Sequence, residues 1–283
     1  MKMQQHTVLV TGGGSGIGLA LAKKLIAAES RVAITGRSLT KLKKAQAAVP
    51  GLAIIQSDVT IEEDRLRLVH EVEERLGGLS LLVNAAGAIE YTYFSRDPEF
   101  YNRVRYEMEI NYFAPIRLIE LLTPLLSKNI APGILTVSSG AAYVPVGMTA
   151  GYSASKSAIH MFLSGLRYQF QNSERYAHIK LFEACPPPVD TNMANNWEET
   201  TMMKKMSPEM FAKHVIRGLE RDKYIMNIGI SRWVYWLSRI APSFVERTFN
   251  QQMESLIPVP DFSKPDYRKV AQPIDSEKSQ DRL

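Results

Sequence analysis

The sequence predicts a doubly wound α/β fold: a parallel sheet with helices on both faces, continued by a C-terminal helical extension. Three observations carry this. Short β-rich runs alternate with helical stretches from the start, the first run passes directly into a glycine-rich turn, and no internal repeat or mid-chain linker interrupts the rhythm. Strand–helix alternation of this kind implies right-handed βαβ crossovers and hence a parallel sheet.

The elements follow in order. Thr7–Val10 is apolar and β-branched and reads as the first strand, and Ile17–Ala28 follows the glycines as a helix. Arg31–Thr35 and Thr40–Val49 repeat the pair; Leu52–Gln56, the charged helix Ile61–Leu76 and the strand Leu79–Val83 repeat it again. A long helix is expected from about Pro98 to Ser127, then a strand Gly133–Ser138, a helix from about Tyr152 to Asn172, and a strand Ile179–Ala184. An irregular stretch runs from Pro186 to Met206. The Ser207-Pro208 pair then starts a helix, because a serine oxygen caps free N–H groups and proline suits the first helical position. Tyr224–Ile228 reads as the last strand, with further helices around 231–253. Beyond Ile257 four prolines and alternating charges leave few large apolar residues, so 257–283 reads as a mobile tail.

At 283 residues and 45% apolar composition the chain suits one large α/β domain, here residues 1–256. The net charge of +5 and pI of about 9.1 would suit an anionic ligand. The basic residues are scattered, however, and the one local group, Arg37 with Lys41, Lys43 and Lys44, is explained by a solvated helix face. Nucleic acid is not an expected partner. The single cysteine, Cys185, excludes an intramolecular disulfide and a cysteine-based zinc cage, and no metal site is expected. The Val8–Val10 run is too short for a signal peptide, and no apolar run of about 20 residues occurs, so a soluble, cytoplasmic protein is expected.

The first strand enters Thr11-Gly12-Gly13-Gly14-Ser15-Gly16-Ile17-Gly18 and then a helix. Glycines let the backbone approach a pyrophosphate lying at the positive helix N-terminus, so Gly12, Gly14, Ser15, Gly16, Ile17 and Gly18 are candidate cofactor contacts. The spacing is TGxxxGxG rather than GxGxxG. The second strand ends Ile34-Thr35-Gly36-Arg37. An acid at that place would accept from a ribose 2′-OH, whereas arginine favours a 2′-phosphate. Arg37 therefore favours NADP, with NAD as the alternative.

Together with these, the pair Asp58-Val59, the turn Asn84-Ala85-Ala86-Gly87, Asn111, Ser138-Ser139 and Tyr152-Ser153-Ala154-Ser155-Lys156 occur in one order. In that combination the chain resembles the short-chain dehydrogenase/reductase (SDR) family across roughly residues 5 to 230. The resemblance implies a Rossmann-type sheet, with Asp58 on the adenine amino group, Val59 against the adenine, and Asn84, Ala85, Ala86 and Gly87 lining the adenosine side. It assigns Tyr152 as general acid/base, Ser139, thirteen positions earlier, as the substrate-oxygen donor, and Asn111 to a water relay from Lys156. Lys156 would lower the Tyr152 pKa and bind the nicotinamide ribose. Residues four apart share a helix face, so Tyr152 and Lys156 can meet one ligand. At a reference pKa of about 10, only about one tyrosine in a thousand is ionised at pH 7, and a nearby ammonium raises that fraction.

After the sixth strand the chain departs from the family. Pro186-Pro187-Pro188-Val189-Asp190-Thr191 stands where many members carry Pro-Gly, and proline at 187 excludes a glycine-like turn. Val189 and Thr191 are still candidate contacts to the nicotinamide amide. The stretch 192–206 carries Met193, Trp197, Met202, Met203 and Met206 and reads equally as a lid on an apolar substrate or as helix packing. Ile230–Ile240 mixes tryptophans and aliphatics with two arginines. An interfacial helix on anionic lipid has that composition, and so does a helix covering the pocket or a subunit contact, which is the favoured reading.

The reading that results is an NADPH-dependent reductase of an apolar aldehyde or ketone. The alternatives are an alcohol or hydroxysteroid-like dehydrogenase running the other way and a non-catalytic dinucleotide-binding scaffold or sensor, which loss of Tyr152 or Lys156 would have favoured. The resemblance also implies a homodimer or homotetramer through the helices near 98–127 and 152–172.

Overall fold

The computed structural model describes residues 1–194 and 204–256. Seven strands, β1 (Thr7–Thr11), β2 (Arg31–Gly36), β3 (Ala53–Gln56), β4 (Leu81–Asn84), β5 (Gly133–Val137), β6 (Lys180–Cys185) and β7 (Ile225–Asn227), form one sheet. All neighbours run parallel in the order β3-β2-β1-β4-β5-β6-β7. This is the Rossmann-like sheet expected from sequence. The order reverses between β1 and β4, and crevices at such switch points, beyond the strands' carboxyl ends, are where α/β sheets bind ligands.

Strands buried on both faces need apolar residues throughout rather than in alternation, and Val8, Leu9 and Val10 are all fully buried. The helices α1 (Gly16–Ala27), α2 (Leu39–Ala48) and α7 (Pro208–Glu220) pack on one face, where Val8, Val10, Leu21, Leu25, Phe182 and Phe211 share a core. On the other face α3 (Glu62–Leu76), α5 (Ala114–Leu126) and α6 (Ala150–Gln171) pack over Leu9, Leu82, Ile134 and Leu181. Ser207 caps α7 by accepting from Met210 N at 3.2 Å, as its place before Pro208 predicted.

The long helix predicted over 98–127 is interrupted. It forms α4 (Phe100–Met108), a π-helical turn Glu109–Phe113, and then α5. Pro115 explains the break: without an N–H it cannot donate to the carbonyl four residues back, at Asn111, and the ladder widens there. The helix predicted from Tyr152 begins two residues earlier, at Ala150. The C-terminal extension is a helical pair, α8 (Ser231–Ile240) and α9 (Pro242–Leu256). Trp197, Met202 and Met203 of the predicted lid and the predicted tail from 257 lie outside the described residues. Among the described residues, no helix is long and apolar enough to cross a membrane.

Candidate active site

The glycine turn after β1 is shaped by close backbone approach. Gly12 sits at φ +64°, and a Cβ there would fall 2.8 Å from the Ala86 Cα. A Cβ on Gly18 would fall 2.5 Å from the Gly12 carbonyl oxygen. Gly16, at φ +53°, faces Thr191, whose methyl would be 3.0 Å from an added Cβ. Gly14 instead backs onto Lys41 of α2. Thr11 ties this turn to the one after β4, its hydroxyl accepting from Ala85 N (3.1 Å) and Ala86 N (3.0 Å). Ser15 precedes α1 in an extended conformation and makes no side-chain cap, so the first N–H groups of α1 have no cap from it.

At the ends of β2 and β3, Arg37 and Asp58 face each other, Nε to Oδ2 3.9 Å, and the Arg37 guanidinium lies 5.9 Å from the Tyr106 ring centre. The Asp58 carboxylate accepts from Thr60 N and Thr60 Oγ1 at 3.0 and 2.8 Å, which fixes its orientation. Val59 is buried beside it. The Asn84 side chain is buried and its Nδ2 donates to Thr136 Oγ1 at 3.5 Å, within the sheet. Ala85, Ala86 and Gly87 remain partly exposed around the turn.

Ser139 follows β5, and its Oγ accepts from Ala141 N at 3.1 Å at the head of a short 3-10 turn. Ser138 points inward to Cys185 Sγ at 3.1 Å, whereas Ser139 lines the cleft. Tyr152, in the first turn of α6, lines the same cleft as Ser139. The Tyr152 phenol is not lowered by Lys156 as expected: burial pushes it up to about 12, the nearby Glu107 raises it, and the group that pulls it down is Ser139, through a hydrogen bond. Lys156, one turn on, lies 5.6 Å from the Tyr152 ring centre and donates to Val137 O at 3.1 Å. Burial pulls the Lys156 ammonium down to about 8, against Glu183, Cys185 and Glu107, which hold it up.

Asn111 occupies the π-helical turn. Its Oδ1 accepts from Ala88 N at 3.0 Å, and its Nδ2 donates to Ala88 O (2.9 Å) and Ser155 Oγ (3.0 Å). A Cβ on Gly87 would stand 3.0 Å from Asn111 Oδ1 and 3.7 Å from Lys156 Nζ. Asn111 thus staples the β4 turn to α6 beside Lys156. The widened helix turn is what aims it there, a use to which π-bulges are often put.

The triple proline is accommodated by neighbours. Pro186 O accepts from Gly140 N (3.2 Å) and Ser231 Oγ (2.8 Å), and Val189 pairs with Met206, Asp190 N donating to Met206 O at 2.9 Å. Val189 and Thr191 face the cleft with Ile17, Ser139 and Tyr152. The cleft, with a cavity of about 130 Å³, is walled mainly by apolar groups, including Ile89, Val146, Met193, Val234 and Phe249. The inner face of α8 therefore covers the pocket, as the favoured sequence reading held.

Several buried polar residues at this site had not been singled out by sequence reasoning. Glu183 on β6 is fully buried and accepts from His160 Nδ1 at 2.8 Å, and His160 lies four residues after Lys156 on α6. Tyr143 reaches Cys185 Sγ and donates to Asn227 Oδ1 at 2.9 Å, while burial raises both its phenol and the Cys185 thiol. Glu107 is fully buried, and burial pushes it up to about 8. An acid inside a buried strand was the available signal for Glu183, whereas Glu107 sits in the polar helix FYNRVRYEM, which gave no such signal.

A parallel sheet with a glycine-lined crevice at its switch point, and a Ser–Tyr–Lys group beside it, defines a nucleotide-binding oxidoreductase. Residues 6–202 match the short chain dehydrogenase family, and the chain belongs to it. An uncharacterised oxidoreductase of Bacillus subtilis strain 168, DltE, is 34% identical over 225 residues, 79% of this chain and 88% of the relative. The 11-beta-hydroxysteroid dehydrogenase A of Sesamum indicum is 25% identical over 260 residues, 86% of this chain and 74% of the relative. A short chain dehydrogenase of Burkholderia cenocepacia J2315, solved in complex with NADP, shares the fold at TM-score 0.76 and 23% identity, covering 88% of this chain and 98% of that one.

Proposed function

We propose that this oxidoreductase uses NADPH to reduce an apolar aldehyde or ketone, with Tyr152 as the proton donor. The observation that carries the reading is the pairing of a protonated Tyr152 with Ser139 on an apolar cleft, next to the glycine turn. The turn fits a dinucleotide: Gly12, Gly16 and Gly18 let the chain pack so tightly on itself that no Cβ would fit, which brings the backbone N–H groups of the turn together at the start of α1, where no side chain caps them. Gly12, Gly14, Ser15, Gly16, Ile17 and Gly18 hold the phosphates, Arg37 a 2′-phosphate, and Asp58 and Val59 the adenine. The backbone of Asn84, Ala85, Ala86 and Gly87 borders the adenosine, and Val189 and Thr191 hold the carboxamide. Bound there, the reduced nicotinamide supplies a hydride.

The remaining chemistry belongs to side chains. Ser139 Oγ donates to the substrate carbonyl oxygen and holds it near Tyr152. Tyr152 then gives that oxygen its phenolic proton, which completes the alcohol and leaves a tyrosinate. A phenol held near 12 keeps its proton at neutral pH, as a donor must. The Lys156 ammonium stabilises the tyrosinate, which regains a proton from solvent through the Lys156–Asn111 side of the site. The exposed Tyr101, Phe113, Met161 and Tyr168 on α4 to α6 suit contacts with a second copy of the chain.

The test follows loss of reduced-nicotinamide absorbance, with NADPH and NADH separately, against aldehydes and ketones of graded chain length. Turnover with NADPH that rises with chain length is expected, and Arg37→Ala should raise the KM for NADPH and leave that for NADH unchanged. Equal use of both cofactors by the wild type would refute the Arg37 assignment, and a preference for charged, polar carbonyls would refute the substrate class.

A further inference from the structure

One surface next to the cleft is left without a role by the chemistry above. Along α8 and into α9, Ile230, Trp233, Trp236, Leu237, Ile240 and Phe244 are 39, 59, 56, 47, 77 and 71% exposed. The three- and four-residue spacing from Ile230 to Ile240 makes a stripe on the outer face of α8, with Phe244 exposed just beyond its end, whereas Ser231 and Val234 are the buried positions. An ordinary surface helix presents the reverse pattern, and contiguous apolar patches of this kind mark interaction sites.

We infer that this stripe docks on an anionic lipid bilayer and opens the cleft toward it. Charge selects the occupant. No Asp or Glu occurs between Asp222 and Glu246, while Arg232 and Arg239 flank the stripe. Their guanidiniums are held against aromatic rings, Arg232 at 5.7 Å from the Trp233 ring centre and Arg239 at 3.7 Å from that of Tyr235. Indoles and aliphatics bordered by arginines suit the headgroup boundary of a negatively charged membrane. A second copy fits this face less well. Isologous pairing would set the stripe against its own copy, which offers no carboxylate to neutralise Arg232 and Arg239.

The surface also continues into the site. Ile230 belongs both to the exposed stripe and to the cleft wall, with Ser231 and Val234 behind it on the same helix. A substrate dissolved in the bilayer would therefore pass along α8 to Ser139 and Tyr152 without crossing water. That route rests on the proposed apolar substrate; the docking itself does not.

The experiment is co-sedimentation of the full chain with sucrose-loaded vesicles, either pure phosphatidylcholine or an equimolar mixture with phosphatidylglycerol, with tryptophan emission recorded alongside. Partitioning onto the anionic vesicles is expected to exceed that onto phosphatidylcholine by about tenfold, with a blue shift of the indole emission. Trp233→Ser with Trp236→Ser should abolish both, and Arg232→Gln should weaken the anionic preference, each variant keeping wild-type NADPH binding as evidence of folding. No partitioning onto anionic vesicles, or partitioning that the tryptophan variant retains, overturns the inference. So does binding that appears only after residues 257–283 are removed, which would give the face to the chain's own tail, or a dimer that the tryptophan variant dissociates in the absence of vesicle binding. Because the readout needs no turnover, vesicle binding without carbonyl reduction would leave the docking surface standing and sink the proposed activity instead.

Discussion

Glu107 gives the chain a pH-dependent stability that a single substitution should remove. Its Oε1 accepts from Glu90 N at 2.8 Å, while Oε2 is buried with no hydrogen-bond partner among the described residues. Burial raises this acid from 4.5 to about 8, so the folded protein keeps the proton up to about pH 8, whereas the unfolded chain loses it near 4.5. Between those values the folded state binds more protons than the unfolded one, and stability from this group falls as pH rises. The slope is at most about 1.4 kcal/mol per pH unit, so the full window corresponds to roughly 5 kcal/mol as an upper bound. Glu107→Gln keeps an oxygen to accept from Glu90 N and removes the charge. Guanidinium unfolding at pH 5, 6, 7 and 8 should show the variant gaining on the wild type by several kcal/mol across the series, with the larger advantage at pH 8. Parallel curves for the two proteins would refute the assignment of a protonated, buried Glu107.

Two further outcomes follow from the site. Glu183→Gln removes the strongest of the influences that hold the Lys156 proton against burial. Lys156 should then lose its charge below about pH 8, moving the alkaline fall of kcat/KM down by about one pH unit or more, and an unshifted profile would exclude Glu183 from this role. Gly18→Ala would set a methyl 2.5 Å from the Gly12 carbonyl oxygen, which only a backbone shift in the phosphate cradle can relieve. Overpacking of this kind costs about 1–3 kcal/mol. Fluorescence titration should show NADPH affinity reduced about tenfold or more, and unchanged affinity would place the dinucleotide elsewhere.

Much of the fold was legible because its signals are local. The run Val8–Val10, the glycines after it and the alternation that follows dictate a parallel sheet, and all seven strands appear at the runs read as strands. The site's first layer was legible for the same reason, since Ser139 and Tyr152 line one cleft and Lys156 lies a helical turn away. What the sequence could not convey depends on distant packing. The break at Pro115 in the long helix was not read from sequence, and the inward aim of Asn111 follows from how the widened turn meets Ala88 and Ser155. Glu183 and His160 are 23 positions apart and meet only because α6 packs over β6. The aromatic segment at 230–240 supported two readings, and the structure assigns its inner face to the cleft while leaving its outer face exposed.

The central claim is that Tyr152 supplies the proton while its neighbours hold the substrate and cofactor. Single-turnover reduction of a medium-chain aldehyde by NADPH-loaded enzyme, compared between the wild type and Tyr152→Phe, tests it most directly. Removing only the hydroxyl should lower the rate by about a hundredfold or more while NADPH binding stays unchanged. A variant that binds NADPH and reduces the aldehyde at the wild-type rate would contradict the account.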